Sequence, residues 1–222
     1  MAKQIFIGLM GEGSTDNRFL KSIVKRTFEI IKFECFSDID IYDVTELKTE
    51  TRNTFIQEVL QASKKGVETF GMTILCVHTD ADATNNVNTY QYKINPAQIE
   101  LGKQSDADYC KNLVAIVPIQ ESESWMLADT ILLKSEIGTD KTDNELGINK
   151  QPENISNPKE VIENAIRIAR IEQTKRKRDS LTISDLYLPI GQSIDLEKLE
   201  TLSSYQDFQE NVREAFRKMN LL

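Results

Sequence analysis

The chain has 222 residues, 40% hydrophobic and 28% charged, enough to bury a sizeable core in one large domain or one domain with an appendage. No apolar run approaches the ~20 residues of a membrane span, and the opening Met-Ala-Lys-Gln-Ile-Phe-Ile is too short in apolar length for a secretory signal, so the expectation is a cytoplasmic protein without a membrane segment. A formal net charge of -8 argues against coating nucleic acid by charge alone, but leaves open a nuclease, whose carboxylate site is itself acidic and gains phosphate affinity from a bound metal.

Gln4 to Met10 carries Ile5, Phe6, Ile7, Leu9 and Met10 almost without interruption, the pattern of a strand buried on both faces. It runs into Gly11-Glu12-Gly13-Ser14-Thr15-Asp16, where two glycines permit a tight turn, Ser14 or Thr15 is placed to cap a helix, and Asp16 falls in its first turn. Apolar residues at helical spacing from Phe19 to Phe33 predict that helix and hold Glu12 at the top of the sheet. Asp38 to Val44 predicts a second, more exposed strand, and Phe55, Ile56, Val59 and Leu60 predict a helix from about Arg52 to Lys65, stopped by Gly66.

Thr73 to Asp82 is the organising stretch. Ile74, Leu75, Cys76 and Val77 form another doubly buried strand, which delivers Asp80 and Asp82 to the carboxyl edge, where open α/β folds bind ligands. Neighbouring carboxylates repel unless a proton or cation lies between them, and Mg²⁺, or Mn²⁺, suits an oxygen-only site. An acidic turn capping the next helix has the same local pattern. The asparagine-rich passage from Ala83 to Lys111 predicts a mobile lid or substrate-contact loop with one short helix near Pro96. Leu113 to Ile119 predicts the fourth buried strand, followed by Glu121-Ser122-Glu123-Ser124-Trp125 and a helix bearing Trp125, Met126, Leu127, Ile131, Leu132 and Leu133.

The polar stretch from Gly138 to Asn157 marks a boundary between residues 1–137, an α/β domain, and residues 138–222, a mainly helical extension packed on it. The extension is read as a helix from about Pro158 to Arg176, a loop around Pro189 and Gly191, and a last helix from about Asp207 to Met219. Lys175, Arg176, Lys177 and Arg178 suit either a helix C-terminus or contact with a nucleic-acid backbone.

Cys35, Cys76 and Cys110 are too few and too scattered for a disulfide framework or a zinc site. The single histidine, His78, is read as a packed strand residue, and Trp125 as core. Acid-base work therefore falls on carboxylates, a lysine or metal-bound water. Three predicted strands end in acid: Glu12, Asp80 with Asp82, and Glu121 with Glu123. Together these five are the candidate metal set, because carboxyl-edge loops converge however far apart they lie in the chain.

Gly11-Glu12-Gly13-Ser14-Thr15-Asp16 with Phe19-Leu20, His78-Thr79-Asp80-Ala81-Asp82, and Val117 through Asp129 together resemble the Toprim fold of topoisomerases, primases and OLD-type nucleases. They resemble in particular an uncharacterised bacterial Toprim-like family, whose tail is similar to Asn157-Pro158-Lys159 and to Ile194 through Phe208. The resemblance implies a Rossmann-like parallel sheet of about four strands with helices on both faces and a helical C-terminal extension. It further implies Glu12 as general acid or base, Mg²⁺ on Asp80 and Asp82, a nucleic-acid substrate, and an ATPase partner encoded nearby in phage-defence loci. Thr84 stands where the third aspartate of the usual Asp-x-Asp-x-Asp falls, so a second metal would need Glu123. Two readings compete with a nuclease. One is a non-catalytic partner subunit binding metal or protein. The other is a haloacid-dehalogenase-like phosphatase using Asp80 in Asp80-Ala81-Asp82-Ala83-Thr84, which leaves Glu12 without a role.

Overall fold

The computed structural model describes residues 2–49 and 53–222. Strand β1 (Lys3–Ile5) is followed after Phe6 by β2 (Ile7–Met10), helix α1 (Ser14–Ile31), β3 (Ile39–Ile41), β4 (Thr45–Glu46), α2 (Phe55–Phe70) and β5 (Ile74–His78). Next, α3 (Val87–Thr89) runs through a π-helical turn (Tyr90–Ile94) into α4 (Asn95–Gly102), then β6 (Leu113–Ile116), α5 (Glu123–Met126), α6 (Thr130–Ile137) and α7 (Asp143–Leu146). The tail contains α8 (Pro158–Ala169), α9 (Lys175–Arg178), α10 (Ile183–Ser193), α11 (Leu196–Leu199) and α12 (Ser203–Lys218).

All strand pairs are parallel: β1 pairs with β3, and a four-stranded sheet has the order β4-β2-β5-β6. The break at Phe6 is bridged rather than lost. Its N–H donates to Thr73 Oγ1 at 2.9 Å and its carbonyl accepts the Thr73 N–H at 2.9 Å. From β2 the chain first adds β4 on one side and then β5 on the other, so the order reverses between β2 and β5. That reversal opens a crevice at the carboxyl ends of these two strands.

Both sheet faces are covered, which explains the uninterrupted apolar strand sequences. Ile74 and Cys76 of β5 and Val114 and Ile116 of β6 face a core shared with α1 and the tail helices. Leu75, Val77, Leu113 and Ala115 face a second core built with Val59, Ala62, Ile94, Ala97 and Leu101 from α2 and the 87–102 helical run. The result is an α/β fold with helices on both faces and a helical C-terminal region.

Several expected boundaries move. Ser14 opens α1 behind Gly13, which is its N-cap without a side-chain bond, so neither Ser14 nor Thr15 caps the helix. The expected start of α2 at Arg52 lies outside the described residues, and its cap is Thr54, in a reciprocal capping box with Gln57. This helix passes through Gly66 and stops at Gly71, whose φ of 66° is left-handed. Gly66 instead packs closely on the end of the Met72 side chain, where a Cβ would lie 2.6 Å from Met72 Sδ.

The short helix expected near Pro96 is α4, with Pro96 in its first turn, but residues 87–94 before it are helical rather than a loop, and the burial of Ile94, Ala97 and Leu101 holds both. The helix expected around Trp125 is split in two where the Asp129 carboxylate caps Leu132 N–H at 3.0 Å, and Ile131 is exposed. Pro189 and Gly191 lie inside α10, not in a loop, because the backbone of Gly191 packs directly on Phe19: a Cβ would sit 2.2 Å from the Phe19 carbonyl oxygen. The Pro158 helix ends at Ala169, so the basic run 175–178 forms its own short turn and does not terminate that helix.

Candidate functional site

The loops after β5 and β6 are zipped together beyond the strand ends. Thr79 N–H donates to Ile116 O (3.2 Å), Ala81 N–H to Pro118 O (3.0 Å), Asp82 N–H to Gln120 O (2.9 Å), and Gln120 N–H to Ala83 O (3.1 Å). Closing this ladder forces Asp82 (φ 51°) and Gln120 (φ 64°) into the left-handed region, which aspartate tolerates and glutamine seldom adopts. The two acidic loops are therefore fixed relative to each other by main-chain bonds, and backbone strain is concentrated beside the acids.

Glu12 and Asp80 meet across the crevice through the short segment His78-Thr79-Asp80. Thr79, fully buried, donates its hydroxyl to Glu12 Oε1 at 2.5 Å. Lys93, on the π-helical turn, donates to the same hydroxyl oxygen at 2.9 Å and stands 3.7 Å from Glu12 Oε1. A π turn inserts extra backbone into a helix and re-aims its side chains, here toward the crevice. Asp80 Oδ1 accepts from the Ser122 backbone N–H at 2.9 Å and lies 3.2 Å from His78 Nε2. Burial disfavours the His78 imidazolium, but the bond to Asp80 and the charges of Asp80, Asp16 and Glu12 outweigh it and raise the His78 pKa.

Glu121 and Glu123 occupy different environments. Glu123 is buried; its Oε1 accepts the Tyr187 hydroxyl from α10 and its Oε2 accepts the Ser122 hydroxyl at 3.3 Å. Burial first, then that bond and the charges of Glu123, Asp16 and Glu121, hold the Tyr187 hydroxyl protonated far above its ordinary pKa. Glu121 is half-buried with an Oε2 that has no hydrogen-bond partner. Burial and then the charges of Glu123 and Asp80 raise its pKa, against the pull of the Lys159 backbone and ammonium. Asp82 is exposed, and its carboxylate has no side-chain hydrogen bond among the described residues.

Glu12, Asp80, Asp82 and Glu121, on loops, and Glu123, the first residue of α5, thus sit at one edge of the sheet, but not as one preformed cage: no three His, Cys, Asp or Glu among the described residues form an ion-binding group. Lys175, Arg176, Lys177 and Arg178 are exposed on the separate turn of the tail. Sequence reasoning passed over Thr79, Lys93, Asp16, Ser122 and Tyr187. Thr79 and Ser122 are hydroxyls that adjoin the acids, Thr79 directly after β5, a usable signal. Lys93 carried a weaker one, as a cation in a polar stretch following an acidic loop. Tyr187 lies 64 residues from Glu123 and carried none. Asp16, read as a helix-start acid, also accepts the Ser122 hydroxyl at 3.3 Å.

Carboxylate oxygens, a hydroxyl bridge, one lysine and His78 beside Asp80 make an arrangement able to bind a hard cation or a phosphate and to transfer a proton; among the described residues no thiol or serine-histidine pair for covalent acyl chemistry lies in the crevice. No curated protein and no solved structure matches this chain. A family model does, over residues 11–213, and that span takes in every acid of the crevice and nearly the whole tail. The chain belongs to the family described as the domain of unknown function DUF4276.

Proposed function

We propose that the carboxyl-edge crevice hydrolyses phosphodiester bonds of DNA or RNA with Mg²⁺ or Mn²⁺, and that an ATPase partner activates or directs it. The observation that carries this reading is the joining of Glu12 and Asp80, from opposite sides of the sheet's reversal point, through Thr79 with Lys93 beside them. The resemblance of the same two loops to Toprim proteins supports the same chemistry.

The donor chemistry fits a hard divalent cation. Mg²⁺ keeps several waters and needs only one or two carboxylates in addition to substrate phosphate, so it does not require a preformed three-acid cage. Asp80 Oδ2, free of hydrogen bonds among the described residues, and the exposed Asp82 carboxylate are the one or two carboxylate ligands that would hold it. When bound, the ion supplies charge neutralisation at the phosphate and a more acidic water.

The chain's own residues do the rest. Ser122 N–H fixes the Asp80 carboxylate. Glu12, oriented by the Thr79 hydroxyl, accepts a proton from the attacking water as its oxygen bonds to phosphorus and the bond to the ribose oxygen breaks. Lys93 faces the phosphate oxygens with its ammonium and opposes the charge that develops on the leaving oxygen. Glu123, locked by Tyr187, supports the Ser122 loop rather than the chemistry.

A second reading rests on the same lysine: its pairing with Glu12 already offsets that carboxylate, as in a metal- or protein-binding subunit without catalysis. Purified protein with Mg²⁺ or Mn²⁺ and mixed DNA and RNA, with and without the partner ATPase, separates the two. The nuclease reading expects cleavage that Glu12→Gln and Asp80→Asn each abolish. Cleavage untouched by both substitutions would move the site elsewhere, and no cleavage even with the partner would leave the binding subunit.

A further inference from the structure

A cleft of about 530 Å³ lies in the tail between α8, α9 and the start of α10, outside the crevice. Its volume is within the range of small-molecule sites. Arg167, Arg170 and Arg178 line it, and Ile166, Leu181 and Ile183 give it an apolar floor. The three arginines gather on one cleft without a carboxylate partner among the described residues. Elsewhere Arg213 grips Glu34 through two bonds of 2.9 Å and Arg217 reaches Glu210 at 2.6 Å. None of the three cleft arginines forms an ion pair among the described residues, although Glu163 and Asp179 line the same cleft.

Their fixed contacts are with neutral oxygens and hold the cleft's shape. Arg170 Nη1 donates to Lys177 O at 2.8 Å and to Ser180 Oγ at 3.2 Å, while its buried Nε has no hydrogen-bond partner. Arg167 Nη2 donates to Asn164 Oδ1 at 3.0 Å and Arg178 Nη1 to Ile171 O at 3.4 Å. Each guanidinium therefore keeps donors free, in planar forks that match phosphate oxygens.

We propose that this cleft binds one nucleotide unit, either free or as part of a single strand. Unpaired guanidiniums alone would suit any anion, but an apolar floor is wasted on inorganic phosphate. It suits the face of a base, which arginine planes also stack against. Glu163 and Asp179 supply acceptors for ribose hydroxyls or exocyclic amines. Only Arg178 of the basic run lines the cleft, so Lys175, Arg176 and Lys177 are not part of the site. Ile183, in the floor, is one helical turn along α10 from Tyr187, which holds Glu123. The proposal does not depend on the crevice being hydrolytic.

Calorimetric titration of the full chain with AMP, with inorganic phosphate and with a short oligothymidylate tests it, and the first and last arms tell a free nucleotide from a strand. The expected result is binding of AMP or the oligonucleotide, with phosphate at least about tenfold weaker. Arg167→Ala combined with Arg178→Ala should weaken that binding at least about tenfold. Lys175→Ala combined with Lys177→Ala should leave the AMP affinity unchanged. Because Arg170 braces the 177–180 turn, Arg178→Lys is the second, gentler variant: it keeps the charge, loses the fork, and should still weaken binding. No binding of either nucleotide ligand, phosphate binding as well as AMP, or binding unmoved in Arg167→Ala/Arg178→Ala would each overturn the proposal.

Discussion

The crevice and the tail core solve opposite problems with similar residues. In the tail core the aromatic cluster around Trp125 is tied by partnered polar groups, with the neighbouring Ser124 hydroxyl buried and unpaired among the described residues: Trp125 Nε1 donates to Ser204 Oγ at 2.8 Å, Ser204 Oγ donates to Glu153 Oε1 at 2.7 Å, and Thr27 and Tyr205 share a bond of 2.8 Å. Around them Trp125, Tyr205 and Phe208 stack edge to face or tilted, with centroids 5.3 to 6.2 Å apart. In the crevice Glu121 Oε2, His78 Nδ1 and Asn17 Oδ1 are buried without partners, and two non-glycine residues are left-handed. Unmatched polarity and strain persist only where the surrounding structure over-determines them, and they gather at sites that act on something else. The tail core supplies the stability against which the crevice is held.

This contrast breaks most sharply at Glu12. Its side chain is 45% exposed, so Glu12→Gln should leave the thermal midpoint nearly unchanged, within about 0.5 kcal/mol of stability, while lowering any metal-dependent cleavage by ~10²–10⁴-fold. A matching loss of stability would make Glu12 a structural residue.

Trp125→Ala should do the reverse, costing ~3–5 kcal/mol in denaturant unfolding through the cavity and the orphaned Ser204 hydroxyl. Unfolding that hardly changed would mean that the tail core does not carry the fold.

Glu121 sharpens the comparison through pH. Burial and the neighbouring acids raise its folded-state pKa, so the folded chain favours the protonated form. Its contribution to stability is complete below the unfolded value of ~4.3 and is lost as pH rises through the raised folded value. Glu121→Gln keeps the neutral form at every pH. It should therefore be more stable than the parent at neutral pH, by less than about 1 kcal/mol given the group's partial exposure. The difference should shrink toward zero below pH ~4, as melts across that range would show. A variant less stable at neutral pH would mean that the carboxylate is satisfied rather than repelled.

The smallest effect belongs to the Arg213–Glu34 pair, which ties α12 to the segment after α1 on the surface. Arg213→Ala should cost only ~0.2–1 kcal/mol, and less in high salt. A larger, salt-independent loss would place the pair among the tail core's fixed contacts.

Periodicity and composition determined much of this molecule. Strands buried on both faces need continuous apolar residues, so β2, β5 and β6 were legible, and the glycine turn and acidic strand ends placed Glu12, Asp80 and Glu121 on one edge before any coordinates. Local chemistry was less decisive where packing overruled it. Gly66 and Gly191 are read as breakers but lie inside helices, where they let the chain pack closely on Met72 and on the Phe19 backbone, and residues 87–94, ahead of the expected helix at Pro96, are helical because Ile94, Ala97 and Leu101 reach the core. Only the tertiary structure decided which acids are open and which are locked. Thr79, Lys93 and Tyr187 reach their carboxylates from other elements, and a side chain's hydrogen-bond partner across 67, 14 or 64 residues is fixed by how the elements pack, which no local pattern encodes.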